Sequence, residues 1–355
     1  MGEVQSLSKP ERFIRDINES FAGAVDVVSK FMSKQKNASY DKNKVAVSLA
    51  NVRMALRGHG QIGKYDHCLA IIAGAYAFSK TKQILRVDQT LNREIANSVD
   101  ESGEIPCSIL MNLPYQGFFL ELPETETSTI GIFVHMDYGR YNNGGYCYSL
   151  WLNVNVFDGD DYAANDVGLI LNLPLIEGKS LKEAISESYE NSDKEFDALL
   201  QREHPSKPDD IDDYLKEWMS IINVILYICS VNADIVPERQ PEEEKPVETQ
   251  ASSLPKKVKA KTQQSKPKKQ VKVWDVGFRI GSELRKHELQ KESEEDGKSS
   301  GGGVKRAHLR RAHWHHYWIG SKKDNTQHLI LKWIPPIVIH AEYANELPVV
   351  MHDVR

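Results

Sequence analysis

Residues 117–157 read GFFLELPETETSTIGIFVHMDYGRYNNGGYCYSLWLNVNVF, and in this stretch apolar residues recur at every second position. A period of two places alternate side chains on opposite faces of an extended chain, so the stretch predicts strands rather than helices. Asn142-Asn143-Gly144-Gly145 separates two aromatic and β-branched runs. Asn and Gly accept the positive φ that tight hairpin turns need, so the two runs are expected to pair antiparallel. The same period marks residues 108–113, 117–122, 129–136, 146–157 and 167–173, divided by Pro, Gly and Asn clusters. A central antiparallel sheet is the expectation.

Outward from this sheet the period lengthens. Upstream, residues 1–95 read as helical: Ser8 as N-cap and Glu11 three positions later can satisfy each other's backbone donors. Phe13, Ile14, Ile17, Phe21, Ala24, Val25 and Val28 then follow at three- and four-residue spacing, the pattern of a buried stripe. Further helical segments are expected at residues 45–56 and from Tyr65 toward Ile84, the latter with small residues that permit close packing. Downstream, residues 181–189 and 214–229 return to helical spacing, the second after the acidic run 209–213.

At 355 residues the chain has room for about two domains. It is 40% hydrophobic and 27% charged, which excludes a wholly disordered or collagen-like chain. The formal charge of −5 means that any basic site is local. The four cysteines, Cys68, Cys107, Cys147 and Cys229, form no metal-ligand spacing and fit a reduced cytosolic protein. Charges throughout residues 1–20 break up any signal-peptide core, and the most apolar stretches, 70–78 and 221–229, are about half the roughly 20 residues that span a bilayer, so no membrane partner is expected. Between residues 237 and 270 a run of glutamates gives way to seven lysines among prolines, the composition of a flexible charged linker. A second flexible piece is expected at 291–303. The fold expectation is therefore α+β: an N-terminal body at 1–236 with a helical start and flanking helices, a linker at 237–270, and a small α+β C-terminal unit at 271–355.

The densest chemistry lies at residues 304–320, VKRAHLRRAHWHHYWIG, and 326–336, TQHLILKWIPP. Lys305, Arg306, Arg310, Arg311, Lys322 and Lys323 fall within residues 304–323 without one acid, which suits an anionic partner. Paired strands at 311–319 and 326–334 around a turn at 320–325 would put Ala312, Trp314, His316 and Trp318 on one face. Arg311, His313, His315, Tyr317 and Ile319 would share the other. Two readings stay open. In one, bases of single-stranded RNA stack on Trp and Tyr while Arg and Lys hold phosphates. In the other, Trp314, Trp318 and Trp333 pack as cross-strand aromatic pairs with guanidiniums on their rims.

His308, His313, His315 and His316 raise a metal reading, but the stretch offers none of the carboxylates or thiolates that usually complete a zinc or manganese site, and no metal ligand set is assigned. His135 and Asp137 form an HxD pair without a nucleophile at any telling spacing, so they are expected to be satisfied strand residues. Gly58 to Gly63 reads GHGQIG, which matches the letters of a dinucleotide fingerprint but lies between helical segments and is read as a turn.

The order basic-x-His-x-Arg-Arg-Ala-His-Trp-His-x-Tyr-Trp-x-Gly within residues 304–320, followed by Trp-Ile-Pro-Pro at 333–336, resembles the C-terminal signature of a family of phage- and plasmid-borne proteins. The family includes the type V-A anti-CRISPR protein that suppresses production of the effector nuclease. The resemblance implies a protein that recognises the nascent type V-A effector polypeptide during translation, in the cytoplasm of a bacterial host, and promotes loss of its mRNA. The nascent effector chain is then the partner, with ribosome, mRNA or a host nuclease as further contacts. It implies no cofactor and carries over no catalytic residue. His308, Arg310, Arg311, His313, Trp314, His316, Tyr317, Trp318 and Trp333 are the positions carried as an interaction site. Two alternatives remain: an RNA-binding regulator without a polypeptide target, and a metal-dependent nuclease built on the C-terminal histidines.

Overall fold

The structure, a computed structural model, describes residues 7–35, 38–58, 68–96, 98, 105–123, 128–140, 145–158, 169–200, 211–237, 270–295, 308–310, 312–324 and 326–339. Its first helix, α1 (Lys9–Ser20), starts as the sequence predicts: the Ser8 amide and hydroxyl both donate to the Glu11 carboxylate, at 3.2 and 2.9 Å. The apolar stripe of this region spans two helices. Ala22 and Gly23 take positive φ, and α2 (Ala24–Lys34) begins after that bend, with Phe13, Ile17, Ala24, Val25 and Val28 all buried. Ser48 caps α3 (Leu49–Arg57), its hydroxyl accepting from the Asn51 amide at 3.2 Å. The apolar α4 (Leu69–Thr81) does not continue toward Ile84. Lys82 adopts a left-handed φ of 57°, ending the helix, and the chain enters β1 (Gln83–Val87).

After α5 (Gln89–Ala96) comes a correction to the strand reading at 108–113. Cys107–Asn112 is a short 3-10 helix, so its apolar residues follow a period near three. Four strands then run as read: β2 (Gly117–Pro123), β3 (Ser128–Arg140), β4 (Tyr146–Asp158) and β5 (Ile170–Leu175), each antiparallel to the next. The helices α6 (Leu181–Leu200) and α7 (Ile211–Cys229) follow, then β6 (Ile235–Pro237), β7 (Lys272–Val276) and α8 (Phe278–Glu295). The last elements are β8 (His308–Arg310), β9 (His313–Ile319), β10 (His328–Ile334) and β11 (Ile337–Ile339).

The protein is α+β, as expected, with a helical N-terminal portion, but its central sheet is mixed. The order is β5-β4-β3-β2-β1-β7-β6, and β1 runs parallel to both β2 and β7. The two faces carry separate cores. Ile84, Phe119 and Phe133 pack under α1 to α4, with the Phe13 and Phe133 ring centres 4.8 Å apart. Leu85, Leu120, Val134, Leu152 and Leu173 point the other way, toward the 3-10 helix, α6 and α7. No helix among the described residues is long and apolar enough to cross a membrane.

The sheet also changes how the C-terminal segment is joined. β6 and β7 pair antiparallel, Pro237 opposite Trp274, so the strands on either side of the expected linker are neighbours. β7, beyond that linker, lies inside the body's sheet, between β1 and β6. Residues 238–269 of that linker lie outside the described residues. Arg285 secures the join, donating to both Asp88 carboxylate oxygens at 2.9 Å and to the Thr90 hydroxyl at 2.9 Å. Gly277, at φ 74°, admits Leu91 where any Cβ would collide with it.

Candidate functional site

β9 and β10 form a hairpin in which His313 faces Ile334 and Ile319 faces His328. β8 and β11 continue the same register, with Arg310 opposite Ile337, so the four strands make one ribbon interrupted at Pro335 and Pro336. Proline has no amide hydrogen to give the ladder. The far end turns at Gly320, φ 92°, where the Ser321 amide donates to the Thr326 hydroxyl at 3.0 Å and the Thr326 amide returns to the Ser321 carbonyl at 3.1 Å.

One half of the hairpin is anchored. Trp314 and Trp333 stand opposite each other, 3% and 0% exposed, and Leu331 beside them is 1% exposed. Trp314 Nε1 donates to Asn223 Oδ1 of α7 at 3.2 Å, and Trp333 Nε1 donates to Ser98 Oγ at 2.9 Å. The Trp333 backbone is clamped from both sides by Asn232, whose Oδ1 accepts its amide at 3.1 Å while Nδ2 donates to its carbonyl at 2.8 Å. Tyr227 meets the Trp333 ring edge-on with centroids 5.5 Å apart. These two tryptophans are cross-strand partners and belong to the core. Their anchors lie 91, 101 and 235 residues away in sequence, and no local spacing could have singled them out.

The other half projects past its support. Trp318 shares a face with Trp314 but is 60% exposed, and on the opposite face Tyr317 is 37% and Ile319 36% exposed. His315 is exposed beside Tyr317, the two rings 5.6 Å apart, and lies across from the exposed Lys332. Lys322 and Lys323 are exposed in the turn.

The remaining expected site residues are scattered. His313 is buried at 9% exposure, His316 is half-buried on the Trp314 face, and His308 and Arg310 belong to β8. Arg311 lies outside the described residues. His313 and His315 thus share one face of the ribbon while His316 is on the other. No group of three or more His, Cys, Asp or Glu side chains that could hold a metal occurs among the described residues.

The HxD pair departs from expectation in one member. Asp137 accepts the Leu49 amide at 3.0 Å, a carboxylate at the N-terminus of α3, and burial pushes its pKa up against that hydrogen bond. His135 is buried with neither ring nitrogen hydrogen-bonded among the described residues. Burial drives its pKa down to about 3, so the ring is neutral. Of the GHGQIG turn, Gly58 closes α3, and residues 59–63 lie outside the described residues.

A model of the AcrVA2-like family, the anti-CRISPR type V subtype A2 family, matches residues 85–341. The chain belongs to that family. The match begins within β1 and extends past β11, so it takes in the rest of the sheet and the ribbon and leaves out α1 to α4. The crystal structure of AcrVA2 superposes with a TM-score of 0.60, covering 94% of this chain and 99% of that one at 19% identity, which shows a shared fold. Protein FinQ of Escherichia coli is 25% identical over 283 residues, 76% of each protein. As a member of the anti-CRISPR type V subtype A2 family, the chain is directed against a type V-A effector nuclease.

Proposed function

We propose that this anti-CRISPR lowers production of the type V-A effector: it binds the effector polypeptide as it leaves the ribosome and promotes loss of the message being translated. The observation that carries the reading is the family match across residues 85–341, which includes the Trp- and His-rich ribbon. Among the described residues β5 and β6 are the outer strands of the mixed sheet, and an extended polypeptide can add to a sheet edge through main-chain hydrogen bonds. Its place of action is the bacterial cytoplasm, where translation occurs. An RNA-binding regulator is the second reading, favoured by the exposed aromatic and cationic end of the ribbon.

The two readings separate on the information they use. An effector gene recoded with synonymous codons keeps its polypeptide and changes its RNA, while a frameshifted gene does the reverse. Message levels measured with and without the protein are expected to fall for the recoded gene and stay unchanged for the frameshifted one. The opposite pattern would show that RNA sequence is what is read.

A further inference from the structure

We propose that the projecting end of the β9–β10 hairpin is a binding site for single-stranded RNA, with His315, Tyr317 and Trp318 as stacking surfaces and Lys322, Lys323 and Lys332 as phosphate contacts. For its biological target the site rests on the proposed function.

Tyr317, Trp318 and Ile319 are consecutive, large and apolar, and 37%, 60% and 36% exposed, whereas Trp314 and Trp333 on the same hairpin are almost fully buried. The hairpin is thus held firmly at one end and presents rings at the other, which suits a rigid stacking platform. Alternate residues of a strand are about 7 Å apart, so His315, Tyr317 and Ile319 form a row along the outer face. The His315 and Tyr317 rings already touch, with centroids 5.6 Å apart, so a base stacks on the pair rather than between its members. Trp318 offers a further ring on the other face.

Charge then selects the partner. Lys332 lies across from His315 at one end of this row, and Lys322 and Lys323 occupy the turn at the other. Among the described residues no ion pair holds any of these three lysines. Asp324 is the one acid in residues 313–334 of a chain whose overall charge is −5, so positive charge is concentrated where the rings are exposed. Rings flanked by cations match the alternation of base and phosphate in a single strand, and stacking tolerates any base sequence. An apolar peptide would use the rings but leave the lysines without a role.

Fluorescence anisotropy of a short, unstructured, fluorescein-labelled RNA titrated with the full-length protein tests the site on purified components, independently of any effector. Binding is expected to weaken with salt, as phosphate neutralisation requires. Tyr317→Ala and Trp318→Ala should each lower affinity about tenfold or more, and Lys322→Glu with Lys323→Glu should also flatten the salt dependence. Thermal unfolding of the variants should match the parent, because all four side chains are exposed. No binding at low salt, or binding that the ring substitutions leave unchanged, would overturn the assignment. Ring substitutions that weakened binding of an effector peptide and spared RNA would give the surface to polypeptide instead. The recoded-gene result above can hold in either case, so failure of this site and failure of the proposed function are distinguishable.

Discussion

Trp333→Ala should destabilise the whole protein by about 3–5 kcal/mol, the range for removing a buried aromatic side chain and leaving a cavity. Trp333 has no exposed surface, and its indole fills space against Tyr227 while Nε1 donates to Ser98. Truncation also leaves the Ser98 hydroxyl without this donor, adding to the loss. Trp318→Ala is the internal control: at 60% exposure it should shift stability by no more than about 0.5 kcal/mol. Urea unfolding of the two variants by far-ultraviolet circular dichroism decides the matter. Equal small effects would mean that the ribbon does not share the body's core. A single shifted transition for Trp333→Ala would show that residues 312–334 unfold with the main sheet.

Acid should destabilise the protein through His135. The ring lies on β3 opposite Trp151, which faces Asn172 in turn, and the His135 and Trp151 rings stack with centroids 6.5 Å apart. Gly74 lets α4 close over this row, since a Cβ there would come within 3.2 Å of His135 Nδ1 and 2.8 Å of Asn153 Nδ2. Burial disfavours the imidazolium and lowers the pKa from 6.5 to about 3. The unfolded chain therefore takes up a proton below pH 6.5 that the folded chain refuses until about pH 3. Because the unfolded state binds more protons in that window, stability falls with falling pH, by about 2 kcal/mol at pH 5 from this group. Above pH 6.5 both states hold a neutral ring and the contribution vanishes. His135→Met should remove this part of the pH dependence, read as the difference between urea unfolding series at pH 7 and pH 5. Parallel series for parent and variant would show that His135 takes its proton while folded.

Much of the architecture can be read from periodicity because the meander of β2 to β5 is local: each strand pairs with the next, and the alternation of residues 117–157 survives in the structure. The parallel neighbours of β1 were not legible. Gln83–Val87 is five residues long, directly follows a helix, and pairs with strands that begin 34 and 189 positions after its own start, at Gly117 and Lys272. Between residues 237 and 270 composition does not report on strand pairing. The change from Glu to Lys marks a boundary in chemistry, yet Pro237 and Trp274 flank it as paired residues of one sheet. Alternation along β9 sorted its side chains onto the correct faces but did not say where burial stops. That depends on α7 supporting Trp314 and not Trp318, a fact of tertiary packing. His135 shows the limit from the other side: an HxD pair in a strand signals neither catalysis nor a ring that finds no hydrogen bond among the described residues.

In the proposed function the protein acts through an effector chain still being synthesised. Affinity purification from bacterial cells translating a type V-A effector, with and without puromycin, followed by sequencing of bound RNA and identification of bound protein, tests it most directly. Recognition through the nascent chain predicts enrichment of the effector message together with effector polypeptide, and loss of that enrichment when puromycin releases the chain. Enrichment that survives puromycin, or no enrichment at all, would contradict it.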